Sequence, residues 1–191
     1  MNPEEVARAN FYGLLARLFY APPDQALLDA IVAADELEAE EGALALAWRD
    51  LAAASARADP RALREEYDAA FVGTGKAPIT LYVCAYSLRY TNETPLAELR
   101  GELAALGLAR RAQAGEPEDH IAALCETMRL LITEEQRDLA EQRRFFSRWI
   151  APAVEPLCDA ITKSSQLPFY RSVARLAQSF FTVEQSAFEM L

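Results

Sequence analysis

Apolar positions recur along this chain at helical spacing, and proline, glycine and acidic clusters cut the pattern into segments. Asn2-Pro3-Glu4-Glu5 has the form of a helix start: a capping residue, then proline, then acids near the positive end of the dipole. Ala7, Phe11, Leu14, Leu15 and Leu18 fall on one face of that helix, and Ala21-Pro22-Pro23 stops it. Asp24 opens a second helix through Leu27, Leu28, Ile31 and Val32. The acidic run from Asp35 to Gly42 marks its end and a solvated turn. A third helix is expected over about Ala43 to Ala58, carrying Leu44, Trp48 and Leu51. Asp59-Pro60 starts a fourth, with Leu63, Tyr67 and Phe71, which breaks at the irregular stretch Gly73-Thr74-Gly75-Lys76-Ala77-Pro78.

Leu81 to Tyr90 carries Tyr82, Tyr86 and Tyr90 at intervals of four and reads as a short helix; propensity alone also admits a strand. Thr94-Pro95 opens a helix to about Leu106, ended by Gly107. Leu108 to Gly115 reads as a linker and hinge. It divides an N-terminal lobe, 1–107, from a C-terminal lobe, 116–191, within one domain. A long helix is expected from Pro117 to about Arg143, striped by Ile121, Leu124, Cys125, Met128 and Ile132. Another follows from about Phe145 to Ile161, kinked or interrupted by Pro152 and Pro156. Pro168 starts the last major helix, with Val173, Leu176, Ala177 and Phe180 on one face, and a short helical tail completes the chain. The pattern predicts an all-α helical bundle of about ten helices.

Composition agrees with that pattern. The 191 residues are 52% hydrophobic, rich in Ala, Leu, Glu and Arg, with only seven glycines. A chain of this length buries roughly 70% of the surface that its unfolded form exposes, so its core needs no disulfide or metal. Cys84, Cys125 and Cys158 are widely separated, form no C-x-x-C pair, and read as small core residues of a reducing compartment. The N-terminus lacks the basic and apolar regions of a secretory signal, and no run of about 18 apolar residues exists, so a cytoplasmic location is expected. The net charge of -10 disfavours nucleic acid and anionic lipid as partners. It suits a basic peptide, whose capture a complementary field accelerates.

Enzymatic chemistry finds little footing. Around Gly73-Thr74-Gly75-Lys76 the phosphate-loop pattern needs a first glycine where Ala70 stands, and a Ser or Thr where Ala77 stands. One histidine and scattered cysteines do not make a metal-ligand set. Cys125 and His120 are five residues apart, about 140° around a helix, and do not face each other as nucleophile and base. Arg110-Arg111 and Arg143-Arg144 lie far from the N-terminus and read as solvated or ion-paired helix ends.

Glu116-Pro117-Glu118-Asp119-His120 remains, holding the sole histidine beside an aspartate. With Met128 at the centre of the buried stripe, His120 lies about 80° off it, at the boundary of core and solvent. Asp119 points nearly opposite the core, in the first turn, with Pro117 at the first helical position and Glu116 at or near the cap. On pattern alone this is foremost a helix start with a solvated boundary, a functional surface being the alternative.

Those five residues, followed by Leu124 and Met128, resemble the E-P-x-D-H signature of the TorD/DmsD-type redox-enzyme maturation chaperones, relatives of NarJ. Tyr67-Asp68-Ala69-Ala70-Phe71-Val72-Gly73-Thr74-Gly75, with Pro78 and Tyr82 to Tyr86, is similar to a second motif of that family. Phe145-Phe146 with Trp149, and Pro168-Phe169-Tyr170 with Leu176, are similar to its C-terminal pattern. Thr74 stands where proline is frequent, Cys84-Ala85 where Ser-Val is, and Ser147 near a common histidine. The second motif is therefore divergent.

The resemblance implies an all-helical cytoplasmic chaperone without catalysis or cofactor. Its partner would be the twin-arginine signal peptide or body of a molybdenum-cofactor oxidoreductase precursor, held until the cofactor is inserted and then released for export. A formate dehydrogenase, another molybdo-enzyme or a NarJ-like client each fits. Carried over by position, Glu116, Pro117, Asp119 and His120 line the client-peptide site, and Tyr67, Phe71, Tyr82 and Tyr86 supply its aromatic part. The resemblance also implies a monomer or a homodimer that exchanges helices about the 108–115 hinge. An accessory subunit of the enzyme complex and a small helical nucleotide-binding enzyme are the alternatives.

Overall fold

The computed structural model describes residues 1–34, 42–73, 77–86, 95–110, 114–133 and 138–190. In chain order the elements are α1 (Pro3–Tyr20), α2 (Gln25–Ala33), α3 (Ala43–Ser55), α4 (Pro60–Tyr67), α5 (Pro95–Ala105), α6 (Ile121–Thr133), α7 (Leu139–Phe145), α8 (Ala151–Lys163) and α9 (Pro168–Glu189). A π turn, Asp68–Val72, prolongs α4; another, Phe146–Ile150, joins α7 to α8; Val83–Tyr86 forms a 3-10 turn. The chain is all-α, with slightly fewer than ten α-helices among the described residues. It divides into two compact units, Met1–Ala16 with Leu81–Ala153, and Arg17–Thr80 with Val154–Leu191. Each unit combines stretches that are distant in sequence. Leu108–Gly115 falls within the first of them.

Local chemistry explains most helix ends. Asn2 and Glu5 form a reciprocal capping box at α1: each backbone N–H donates to the other's side chain at 2.8 Å. Asp24 and Asp59 cap α2 and α4 through their carboxylates. Gly107, at φ 75°, ends α5 in a left-handed turn. The Leu108 N–H reaches the Leu103 carbonyl at 2.8 Å and the Gly107 N–H reaches that of Ala104 at 3.0 Å, which satisfies two carbonyls of the last turn.

In the first unit α6 is the central helix. Ile121, Ala122, Leu124, Cys125, Thr127, Met128, Leu131 and Ile132 are all buried, so its apolar surface extends well beyond a single narrow stripe. Gly13 lets α1 approach it closely: a Cβ there would lie 3.1 Å from Cδ of Arg129. In the second unit α9 supplies the long apolar face. Val173, Leu176, Ala177 and Phe180 are buried as the spacing predicts, and α3 packs along it. Leu167 offers α9 no side-chain cap, and Glu66 of α4 takes that role by accepting from the Tyr170 N–H at 2.9 Å. Burial raises the Glu66 pKa, against those backbone hydrogen bonds and the Arg171 charge.

Four expectations need correction. On α1, Leu15 and Leu18 are buried, but Ala7 is exposed and Phe11 and Leu14 are half-buried. Ala9, Tyr12, Ala16 and Phe19 are buried with them. Apolar residues crowd this helix on several faces, so the sequence admits more than one stripe. Val32 is largely exposed at the end of α2. The helix expected from Pro117 to Arg143 is two helices, α6 and α7. The second has its own cap at Asp138, an extended residue whose carboxylate accepts from the Glu141 N–H. The start also shifts, from Pro117 to Ile121. The last helix runs on through the expected tail to Glu189. The acidic run 35–41, Thr74 to Lys76, and Tyr90 lie outside the described residues.

Candidate functional site

The E-P-x-D-H stretch is a turn rather than the first turn of a helix. The His120 N–H closes it on the Pro117 carbonyl at 3.2 Å. His120 then pairs in an isolated antiparallel bridge with Tyr82. The flanking bonds run from the Val83 N–H to the Asp119 carbonyl, 2.9 Å, and from the Ile121 N–H to the Leu81 carbonyl, 2.8 Å. Tyr82 and His120 are thus a non-hydrogen-bonded pair of an antiparallel ladder, the pairing that brings facing side chains closest. The rings of Tyr82 and His120 accordingly meet edge-on, with centroids 5.6 Å apart. Among its described residues, the aromatic stretch from Leu81 is thus a single bridge residue, Tyr82, followed by a 3-10 turn.

Each acidic side chain of the turn has a partner within the unit. The Tyr82 hydroxyl donates to Glu116 at 2.7 Å, and that bond together with burial pushes the phenol up to about 12. Glu118 pairs with Arg100 of α5 at 3.0 Å, which holds its carboxyl below the ordinary range despite some burial. The Cys84 thiol hydrogen-bonds the Asp119 carboxylate; burial first, then that carboxylate, raises the thiol to about 12. This protonated thiol is a hydrogen-bond donor rather than a nucleophile. Arg110 fastens the turn from outside by donating to the carbonyls of Glu116, 3.1 Å, and Ala114, 3.3 Å.

His120 caps α6. Its Nδ1 accepts from the Ala122 N–H at 3.2 Å, and its carbonyl accepts from Leu124. An accepting Nδ1 leaves the ring neutral with its proton on Nε2. Burial lowers its pKa below 6.5, against the opposing charges of Glu116 and Asp119. The helix-wheel placements therefore need correction: Asp119 is 7% exposed and His120 only 3%. Wheel angles do not apply to residues 117–120, which are not helical, and the bridge turns both residues inward. Pro117 is half-buried in the turn and is not the first helical residue. At the accessible rim stand Tyr82, 39% exposed, and Glu116, half-buried.

Tyr86 closes the 3-10 turn and is half-buried. Tyr67 and Phe71 belong to the second unit, and both are buried there. Tyr67 packs on Phe71 and Tyr170, with centroids 5.2 and 5.8 Å away, and its hydroxyl donates to the carbonyls of Phe19 and Tyr20. Tyr170 likewise donates to the Leu18 carbonyl. This is a satisfied aromatic core cluster. Sequence reasoning missed the Arg100–Glu118 pair and the role of Cys84, because each joins residues well separated in sequence, and it missed Arg110, whose bonds go to main-chain carbonyls that no residue pattern marks. The placement of Cys84 two residues after a motif tyrosine was the available signal.

Carboxylates at an aromatic rim can hold cations and hydrogen-bond donors. Among the described residues no group of His, Cys, Asp and Glu is placed to hold a metal ion, and no helix is long and apolar enough to cross a membrane. Residues 35–159 match the family model described as the nitrate reductase delta subunit, and the chain belongs to that family of molybdoenzyme assembly chaperones, in which it is a TorD/NarJ-like maturation protein. The match covers more than half of the chain and includes the whole 116–120 turn. No curated protein matches the chain.

Proposed function

We propose that this protein is a cytoplasmic, client-specific chaperone. It binds the twin-arginine signal peptide of a molybdenum-cofactor oxidoreductase precursor, supports cofactor insertion into the enzyme body and delays export. The observation that carries the reading is the rim of Tyr82 and Glu116, an accessible ring holding a carboxylate beside the turn. A guanidinium pairs with such a carboxylate through charge-assisted hydrogen bonds, and an apolar peptide flank packs on the ring. The net charge of -10 steers a basic peptide towards it. Asp119 and His120 act from below, by fixing the turn and the start of α6.

Isothermal titration with twin-arginine signal peptides of molybdenum-cofactor oxidoreductases tests this. Glu116→Gln is expected to weaken binding about tenfold at low salt, and Tyr82→Ala to weaken it through lost ring contact. Unchanged affinity in both variants removes the rim from the site. The family description names a subunit, which favours a second reading: an accessory protein that stays with the enzyme. Co-purification with mature, cofactor-loaded oxidoreductase selects that reading. Helix exchange about 108–115 would give a dimer at the same affinity, visible by size-exclusion chromatography.

A further inference from the structure

The first unit holds a second acidic cluster that the rim does not use. Glu98 and Glu102 stand one turn apart on α5 and both bind the guanidinium of Arg148. One nitrogen donates to Glu98; another lies 3.4 Å from Glu102. The guanidinium carbon also sits 4.9 Å from the ring centre of Trp149, and the Trp149 indole N–H donates to Glu102 at 2.9 Å. Two carboxylates match the fork of a guanidinium, and an indole face takes its flat side. These three side chains therefore make a guanidinium seat, filled by a residue of the same chain.

The position of the seat gives the occupancy a purpose. It borders a shallow cleft walled by Val83, Cys84, Pro95, Trp149 and Pro152. Val83 and Cys84 are the residues that bind Asp119 through backbone and thiol. Cleft and acidic turn thus share one segment. Arg148 is 44% exposed, so water screens its ion pairs and a competing guanidinium can replace it at little cost. It stands with Trp149 on the π turn Phe146–Ile150, a widened winding frequent at functional sites.

We propose that Arg148 is a placeholder in cis: it fills the seat of Glu98, Glu102 and Trp149 until an arginine of the client peptide takes its place. The identity of the client rests on the function proposed above; the seat itself does not. Arg148 swings into solvent as the client arginine enters. Occupancy in cis keeps two carboxylates compensated in the empty chaperone and raises the threshold against stray cations.

The test uses the full chain and the dipeptide amide Arg-Arg, with Lys-Lys as control, followed by the Trp149 indole N–H signal in NMR. Trp48→Phe identifies that signal. Arg148→Gln is expected to bind Arg-Arg about tenfold more tightly than the parent chain, because no internal guanidinium competes. Arg148→Lys is expected between the two, since an ammonium fits the seat less well. Adding Glu102→Gln to Arg148→Gln should abolish the gain. Equal affinities in parent and Arg148→Gln, an equal response to Lys-Lys, or unfolding of Arg148→Gln would each overturn the proposal, because a placeholder is dispensable to the fold. Titration of the parent with the signal peptide reads the function separately: its failure sinks that reading and leaves the dipeptide result to decide the seat.

Discussion

Tyr82 in the first unit and Tyr67 in the second come from one divergent motif and carry the same chemistry, yet they do different work. The Tyr67 hydroxyl ends on two main-chain carbonyls, and its ring is enclosed by Phe71 and Tyr170. The Tyr82 hydroxyl ends on the side chain of Glu116, and its ring remains more than a third exposed. A tyrosine satisfied by backbone is committed to the fold. One satisfied by a half-exposed carboxylate can exchange that bond for a ligand. Under the function proposed above, the destination of the hydroxyl assigns Tyr67 to the scaffold and Tyr82 to the site, a distinction the shared motif does not make.

The largest effect expected from this contrast is in Tyr67→Ala. It empties an enclosed ring site and should lower stability by about 4 kcal/mol in urea unfolding. The folded fraction should bind peptide as before. A fall in affinity with little loss of stability would bring Tyr67 into the site and erase the contrast.

His120→Ala comes next, at about 2 kcal/mol, from the lost α6 cap and the lost ring contact. Its signature is in pH. The folded pKa lies below the unfolded 6.5, so the unfolded chain binds the proton first. The stability associated with neutral His120 is therefore full above 6.5 and is lost as pH falls through the folded value. Chemical unfolding across that window should show the loss in the parent and a flatter profile in His120→Ala. Identical slopes would mean that the ring is not buried neutral.

Tyr82→Phe has the smallest effect, under about 1 kcal/mol, because the ring and its edge contact with His120 remain and only an accessible hydrogen bond goes. Spectrophotometric titration should lose one phenol that ionises about pH 12 rather than near 10. A large destabilisation would show that the Tyr82–Glu116 bond is structural, like the bonds of Tyr67.

The helices were legible wherever a cap or breaker stood beside a periodic run. Asp24, Asp59-Pro60, Gly107 and Pro168 mark their boundaries within a residue or two. The fold class followed from these, and the family from the 116–120 motif and its neighbours. The internal geometry of the motif was not legible. Pro117 and the acids after it mimic a helix start, and the bridge to Tyr82, with the bonds from Arg100 and Arg110, accompanies a turn there instead of a helix. The same limit hid Arg100, Cys84 and the group of Glu98, Glu102, Arg148 and Trp149. Each lies on an ordinary-looking segment and gains meaning from a partner on another.

The two backbone bonds that flank the bridge have a kinetic consequence. The amides of Val83 and Ile121 are held by carbonyls across the pair, so neither can meet solvent unless the Leu81–Val83 segment lifts from the head of α6. Both should exchange their hydrogens in a single opening event, at matched rates, although 38 positions separate them in the chain. A client seated on the rim would slow the two together, which makes this pair of amides a built-in reporter of occupancy.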